Sequence, residues 1–154
     1  MRKNMVLALG LGMVLALSGV AMAQTNQANV TVSATVLGTC KFTSGGTMAF
    51  GTLDPSVGTD KNAVVTQPTF WCTKNAAYTI ADDNGLHETG TTHQMIGASF
   101  GEYIPYTFTY TASGTGNGPT NPITMDIAGT VLGTDYTGKS ADTYSDTVQL
   151  TITP

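Results

Sequence analysis

The chain has 154 residues and a formal net charge of −4, and only 10% of its residues are charged. A chain of this size predicts a single folded domain. The acidic balance excludes a nucleic-acid-binding protein, because such a protein needs a basic surface to neutralise phosphates.

The first 23 residues have the three parts of a secretory signal peptide. Arg2 and Lys3 form a basic start, Met5–Val20 is an uncharged apolar run, and residues 21–23 read Ala-Met-Ala, a small-x-small cleavage site. The run is shorter than the roughly 20 residues that span a bilayer, which favours cleavage over an uncleaved anchor. We therefore predict an exported chain that starts at Gln24, without arginine and with a net charge of about −6.

The first predicted strand, Asn29–Phe42, follows a short polar lead. Four small apolar residues alternate in it with Ser and Thr: Val30, Val32, Ala34 and Val36. Period-two alternation places the four on one face of a strand. Because the lead could carry this strand away from the body of the domain, the pattern favours donation of the strand to another chain.

Both cysteines, Cys40 and Cys72, follow the signal peptide. An even number of cysteines in an exported chain predicts one disulfide. A metal pair or a reactive thiol is the weaker interpretation, because neither cysteine lies in a C-x-x-C motif and no histidine is close in sequence.

Short apolar runs separated by turn residues continue to the end of the chain, and no helical stripe interrupts them. This pattern is typical of an all-β sandwich or barrel. After Asn29–Phe42, the predicted strands are Thr47–Phe50, Val64–Cys72, Ala76–Asp82, Ile104–Thr111, Ile123–Val131 and Tyr144–Thr153. The triplet 83–85 (Asp-Asn-Gly) predicts a tight hairpin turn with positive φ, and Leu86–Gln94 and Thr111–Asn121 are predicted loops.

No arrangement of catalytic or metal-binding residues is evident. His87, Glu88 and His93 lack the i, i+4 spacing of the zinc motif H-E-x-x-H, and no serine lies in a G-x-S-x-G motif. We therefore predict no enzyme activity, no metal and no cofactor. Trp71 has two interpretations: a core residue beside the disulfide, or, by strand parity, a residue facing away from Phe70 and Cys72.

The C-terminal strand repeats the alternation, with Val148, Leu150 and Ile152 on one face, and it runs into Pro154 with no residues for a following strand. Several segments together resemble the spore coat protein U domain family, which includes Csu-type pilins of the archaic chaperone–usher pathway. These segments are residues 38–40 (Gly-Thr-Cys), 48–51 (Met-Ala-Phe-Gly), 69–72 (Thr-Phe-Trp-Cys), 104–106 (Ile-Pro-Tyr) and 144–152, with the pattern Tyr-x-Asp-x-Val-x-Leu-x-Ile.

The resemblance implies an incomplete immunoglobulin-like β-sandwich that lacks its last strand and is completed by donor-strand complementation. Residues 1–23 would be the signal peptide, 24–38 the donor segment with Val30, Val32, Ala34 and Val36, and 39–154 the pilin-like domain. The implied disulfide is Cys40–Cys72. The last strand would border the acceptor groove and the edge bound by the chaperone, through Tyr144, Asp146, Val148, Leu150 and Ile152.

The implied function is that of a structural subunit of a surface pilus that supports adhesion or biofilm formation. Its partners would be a periplasmic pilus chaperone, an outer-membrane usher and other pilus subunits, and it would pass through the periplasm to the cell surface. The chain departs from the family pattern in ending with Pro154 rather than an aromatic residue and in having Asp142 and Thr143 where a glycine is common. The alternatives are a secreted, self-contained carbohydrate-binding sandwich and a spore coat or surface-layer protein.

Overall fold

A computed structural model describes residues 24–154, and the predicted signal peptide lies outside the described residues. The chain divides into two units, residues 1–34 and 35–154. Of the first unit, residues 24–34 are described; they have exposed side chains and form neither helix nor strand. In the described part of the chain, no helix combines the length and the apolar character needed to cross a membrane.

The second unit is built almost entirely of short strands. They are β1 (Cys40–Ser44), β2 (Thr47–Ala49), β3 (Lys61–Asn62), β4 (Val64–Thr66), β5 (Thr69–Cys72), β6 (Ala77–Asp82), β7 (His93–Gly97), β8 (Tyr103–Tyr106), β9 (Thr109–Tyr110), β10 (Ser113–Thr115), β11 (Ile123–Thr124), β12 (Ile127–Ala128), β13 (Thr130–Val131), β14 (Tyr144–Ser145) and β15 (Leu150–Thr153). A single helical turn, α1 (Gly133–Tyr136), precedes β14.

The strands form small antiparallel sheets with the orders β1-β5-β11, β10-β6-β15, β14-β7-β8, β2-β4, β12-β9 and β13-β3. Their inward side chains make two apolar clusters. The first contains Phe70, Cys72 and Ile80, the second Ile104 and Val131, and Phe108 packs against both. The predicted all-β sandwich is thus confirmed, and its core has two parts.

Four predicted strands are divided because the chain changes partner along them. Ile104–Thr111 pairs first with β7, through β8, and then with β12, through β9. Ile123–Val131 pairs first with β5, then with β9 and then with β3. Tyr144–Thr153 pairs with β7 over Tyr144–Ser145 and with β6 over Leu150–Thr153. Val64–Cys72 breaks at Pro68, which has no N–H for a ladder. The alternation of apolar and polar residues indicates which face of a strand is buried but not which strand pairs with it. The points at which these strands divide were therefore not predicted.

Several sequence predictions are wrong in the structure. The strand Asn29–Phe42 begins only at Cys40, because residues 29–39 have no strand partner within the described chain. His93 was predicted to lie in a loop, but it begins β7 and is opposite Tyr106 in β8. The predicted loop Thr111–Asn121 contains β10, in which Gly114 lies so close to the ring of Tyr78 that a Cβ atom would clash with it.

Cys40 and Cys72 form a disulfide, as predicted, and they are directly opposite each other in β1 and β5. Phe70 and Cys72 are buried while Trp71 is half-buried on the opposite face, so the parity interpretation is correct and Trp71 is not a core residue. The turn after β6 has the predicted positive φ, 61° at Asn84 and 89° at Gly85. It is not the predicted hairpin turn, because β6 pairs with β10 and β15 and not with β7.

Candidate functional site

An open groove of about 1000 Å³ lies on the surface of the domain. One wall is β2 with the loop after it, and the other is the segment 139–150, which includes β14. Ile104, Tyr106 and Phe108 lie at its base and belong to the second apolar cluster or pack against it. The groove therefore opens directly onto the core of the sandwich.

Several large apolar side chains that pack on the second cluster are only partly buried, because they line the groove. They are Met48, Phe50, Leu53, Met95, Tyr144 and Val148. Phe50 packs at 5.8 Å from the ring of Tyr106, so the N-terminal wall and the base of the groove are in direct contact. Covering such a surface with apolar side chains contributes roughly 25 cal/mol per Å² removed from water. The groove thus favours an apolar occupant.

Each wall of the groove contains edge strands. β2 pairs only with β4, and β14 and β15 lie at the ends of their three-stranded sheets, so within residues 24–154 each of the three has one strand neighbour. An edge strand presents unpaired N–H and C=O groups that can pair with a further strand. The groove therefore has the apolar base and the hydrogen-bonding sides that a strand requires.

The carboxylate of Asp146 lies in the groove wall and is almost completely buried, with 3% of its side chain exposed. Its Oδ2 accepts a hydrogen bond of 2.7 Å from Tyr106 Oη, and its Oδ1 accepts one of 3.0 Å from the Leu86 N–H and lies 3.1 Å from His87 Nδ1. Burial, followed by the bond to Asp146, raises the pKa of Tyr106 far above the usual value. Tyr106 therefore remains a neutral donor at all physiological pH values.

A second carboxylate cluster centres on Asp82 at the end of β6. Asp82 Oδ1 accepts from Tyr110 Oη at 2.7 Å, and Oδ2 lies 2.7 Å from Nε2 of the buried His93. Burial acts to raise the pKa of Asp82, but the hydrogen bonds from Tyr110, His93 and the Asn84 N–H outweigh it and lower the pKa overall. Since an ionised carboxylate only accepts hydrogen bonds, Nε2 of His93 carries a proton.

The loop that follows β6 holds the last strand where it passes from one sheet to the other. Asp83 Oδ1 accepts a bond of 2.9 Å from the Gln149 N–H, and the Leu86 N–H donates to the Thr147 carbonyl. Together with Asp146, these bonds hold the segment between β14 and β15 as an extended wall. In the described part of the chain, no group of three or more His, Cys, Asp or Glu side chains could hold a metal ion.

Hydrogen bonds from neighbouring elements hold residues 140–144 of the groove lining in place. Asp142 accepts bonds from the N–H groups of Ser99 and Phe100 at 2.7 and 3.1 Å. These bonds lower the pKa of Asp142, the one from Ser99 most. Glu102 binds the Ser140 N–H and the hydroxyl of Tyr144.

The structure brings together four of the five residues that were predicted for the acceptor groove: Tyr144, Asp146, Val148 and Leu150 all line it. Ile152 lies outside the lining, paired with Ile80 and packed on the first cluster. Of the predicted donor residues, Val30, Val32 and Ala34 belong to the first unit and Val36 to the second. All four are exposed, and the three valines have 83–88% of their surface in contact with solvent.

The sequence did not identify the opposite wall or the base of the groove. Met48, Phe50 and Tyr106 were noted only as members of resembled motifs. The contacts of Asp146 with Tyr106 and His87 join residues 40 and 59 positions apart. No local pattern signals a contact over such separations.

Comparison with known proteins gives one family. The model of the Spore Coat Protein U domain matches residues 26–151. No curated protein matches the chain. A similar solved structure is the pre-assembly complex of the chaperone CsuC with the tip adhesion subunit CsuE, from the archaic chaperone–usher Csu pili of Acinetobacter baumannii. It is 23% identical, with a TM-score of 0.45, and the match covers 77% of this chain and 40% of that chain.

Proposed function

Because this chain belongs to the Spore Coat Protein U domain family, we propose that it is a structural subunit of a chaperone–usher surface pilus, and that its groove receives a strand from another subunit. The observation that carries the proposal is the groove between two edge strands, above a core that is only partly covered. In the isolated domain, that surface is an aggregation hazard. An added strand removes the hazard, because its backbone pairs with the edges and its alternate side chains enter the groove.

The residues 24–38 supply the donor strand. Val30, Val32, Ala34 and Val36 carry the alternation that such a strand needs, and their exposure leaves them free to bind elsewhere. Donor and acceptor are different surfaces, so the contact is heterologous, and repetition without closure builds an open filament. The joint is slow to break, because separation exposes the core of the acceptor.

Before assembly, the same groove has to be covered by a transient partner. A periplasmic chaperone would insert a strand beside Tyr144–Leu150, and an outer-membrane usher would be the site at which the next subunit replaces it. The signal peptide accounts for entry into the periplasm, and the filament for the final location at the cell surface. Adhesion or biofilm formation would be a property of the filament.

The test is performed in cells that make the chain. Surface filaments are sheared off, and the chain is sought in them with an antibody, for the wild type and for a variant that lacks residues 24–38 behind an intact signal peptide. We expect the wild type in filaments that dissociate only on heating in detergent, and the deleted variant only in the periplasm.

The matched control for the deletion is a variant with Thr31→Ser and Thr35→Ser, which changes only the polar face of the donor segment and is expected to assemble. Protection of Cys40 and Cys72 from alkylation shows that each variant has formed its disulfide. A wild-type chain that is found as a free monomer, with none in filaments, would overturn the proposal and favour a self-contained binding module.

A further inference from the structure

The groove wall and the donor segment have the same length and period. From Tyr144 to Leu150, half-buried side chains alternate with exposed ones, so four inward positions occur in seven residues. From Val30 to Val36, four apolar side chains also occur in seven residues. Seven residues of extended chain span about 23 Å in both cases. A strand formed by residues 30–36 can therefore pair along the whole wall.

One of the four inward wall residues and one of the four apolar donor residues differ in character from the rest. These two residues identify the register in which the donor strand pairs with the wall. In the wall it is Asp146, a buried carboxylate among apolar residues, and in the donor it is Ala34, the smallest of the four. The hydrogen bonds of Asp146 to Tyr106, His87 and Leu86 leave little tolerance for a larger apolar group pressed against the carboxylate. A single methyl group is the side chain that fits best there.

An antiparallel pairing with Val30 opposite Leu150 places Ala34 opposite Asp146. It also places Val36 opposite Tyr144, a β-branched and aromatic pair that stabilises antiparallel strands. A shift by two residues in either direction, or a parallel pairing with Val30 opposite Tyr144, places a valine against Asp146. Among the registers that keep the apolar side chains facing inward over most of the wall, this one places an inward donor side chain opposite all four inward wall residues and places only Ala34 opposite Asp146.

Charge is consistent with the same occupant. Residues 24–39 contain no charged side chain, and the lining of the groove is largely apolar between its ends. On the basis of the function proposed above, we propose that the groove is occupied by residues 30–36 of a second copy of this chain, antiparallel to Tyr144–Leu150, with Ala34 opposite Asp146. The chain then forms a homopolymer.

Cysteine pairs on the outward face of the two strands test this register. In it, Thr35 is opposite Ser145, and both side chains are exposed. Three double variants are made, each with Thr35→Cys and one of Ser145→Cys, Thr147→Cys or Gln149→Cys, and sheared filaments are oxidised mildly or treated with a short thiol crosslinker. Directly opposed positions have Cβ atoms 4.5–5.5 Å apart, within reach of a disulfide or a short crosslinker.

We expect a covalent ladder of multiples of this chain, resistant to heating in detergent without reductant, from the pair with Ser145→Cys. The single variants Thr35→Cys and Ser145→Cys are the controls and should give no ladder. Crosslinking through Thr147→Cys indicates a shifted register, and crosslinking through Gln149→Cys a parallel strand; either overturns the proposal. Filaments that contain the chain but give no ladder with any pair show that a different subunit occupies the groove.

A steric measurement checks the register independently. Ala34→Phe places a large ring against the carboxylate of Asp146 and should reduce incorporation into filaments at least tenfold. Ser33→Phe puts the same ring on the outward face of the adjacent position and should assemble normally. Equal behaviour of the two variants contradicts the pairing of Ala34 with Asp146. Absence of the wild-type chain from filaments is a separate result, which overturns the proposed function itself.

Discussion

Tyr106 Oη donates a hydrogen bond of 2.7 Å to Asp146 Oδ2 and thereby joins the base of the groove to its C-terminal wall. Tyr106 is in β8, at the edge of a three-stranded sheet, and Asp146 directly follows β14, at the other edge of that sheet. The bond thus spans β7, which lies between them, and it ties the base of the groove to the wall beside which an added strand would pair. The predictions below depend on this contact and on its neighbours.

Completion of the groove is expected to raise stability strongly. A copy of residues 24–38, joined after Pro154 by a short flexible linker, should keep the domain monomeric and raise Tm by at least ~10 °C relative to the unfused chain, since burial of a valine side chain contributes about 1.5–3 kcal/mol. Thermal melting and size-exclusion chromatography measure the two effects. The control fusion carries serine in place of Val30, Val32, Ala34 and Val36. An unfused chain that is already a stable monomer, with no gain on fusion, would contradict an incomplete sandwich.

Removal of the carboxylate at position 146 should destabilise the domain. Asp146→Ala leaves the buried hydroxyl of Tyr106 without its acceptor, at a cost of about 1–3 kcal/mol, which urea unfolding of the fused domain measures. Glu88→Gln is the control, because Glu88 is exposed, and its effect should be within about 0.5 kcal/mol. Equal stability of Asp146→Ala and the wild type would show that the contact contributes nothing.

Alkaline unfolding is expected from the raised pKa of Tyr106. The folded state holds the phenol proton more tightly than the unfolded state, whose tyrosine pKa is about 10, so stability is complete below pH 10 and falls above it. The loss approaches about 1.4 kcal/mol per pH unit for this one group. Tyr106→Phe should therefore flatten the decline in Tm between pH 10 and 11.5. An unchanged slope would exclude Tyr106 as its source.

A loss of stability in acid is expected from the lowered pKa of Asp82. The folded state lowers the pKa of Asp82, so its contribution is present above the unfolded value of about 3.9 and is lost as the pH falls below it. Asp82→Asn should lower Tm at pH 7 but change it less at pH 2.5, because this pH lies below the unfolded pKa of about 3.9 and part of the stabilisation by the wild-type carboxylate is then lost. A Tm difference that is the same at both pH values would attribute the effect to packing rather than to ionisation.

Loss of the disulfide should cost about 3–4 kcal/mol, because it closes a loop between residues 32 positions apart. The double variant Cys40→Ser and Cys72→Ser, made in the fused domain, is compared with the reduced wild type by urea unfolding. Both should lose a similar amount. A much larger loss in the serine variant than in the reduced protein would indicate that the buried hydroxyl groups, rather than the missing crosslink, destabilise it.

Much of the local structure followed from short-range patterns. The disulfide, the turn at Asn84 and Gly85, and the opposite facing of Phe70 and Trp71 depend on residue type and strand parity, which neighbours in the chain determine. The place of His93 in β7 did not follow, because its pairing with Tyr106 and its bond to Asp82 are contacts between strands.

By itself, the sequence determined the opposite facing of Phe70 and Trp71, the positive-φ turn at Asn84 and Gly85 and the pairing of the two cysteines, because alternation, turn chemistry and cysteine count are local properties. Only the tertiary structure decided where Tyr144–Thr153 changes sheets, that β2 stands across from β14, and that a groove with Tyr106 at its base lies between them. An alternation with a period of two residues specifies which face of a strand is apolar, but it does not specify which strand pairs with it. An edge strand is one that pairs with another strand on one side only. Which strands are edge strands therefore depends on how all the strands of the chain pair.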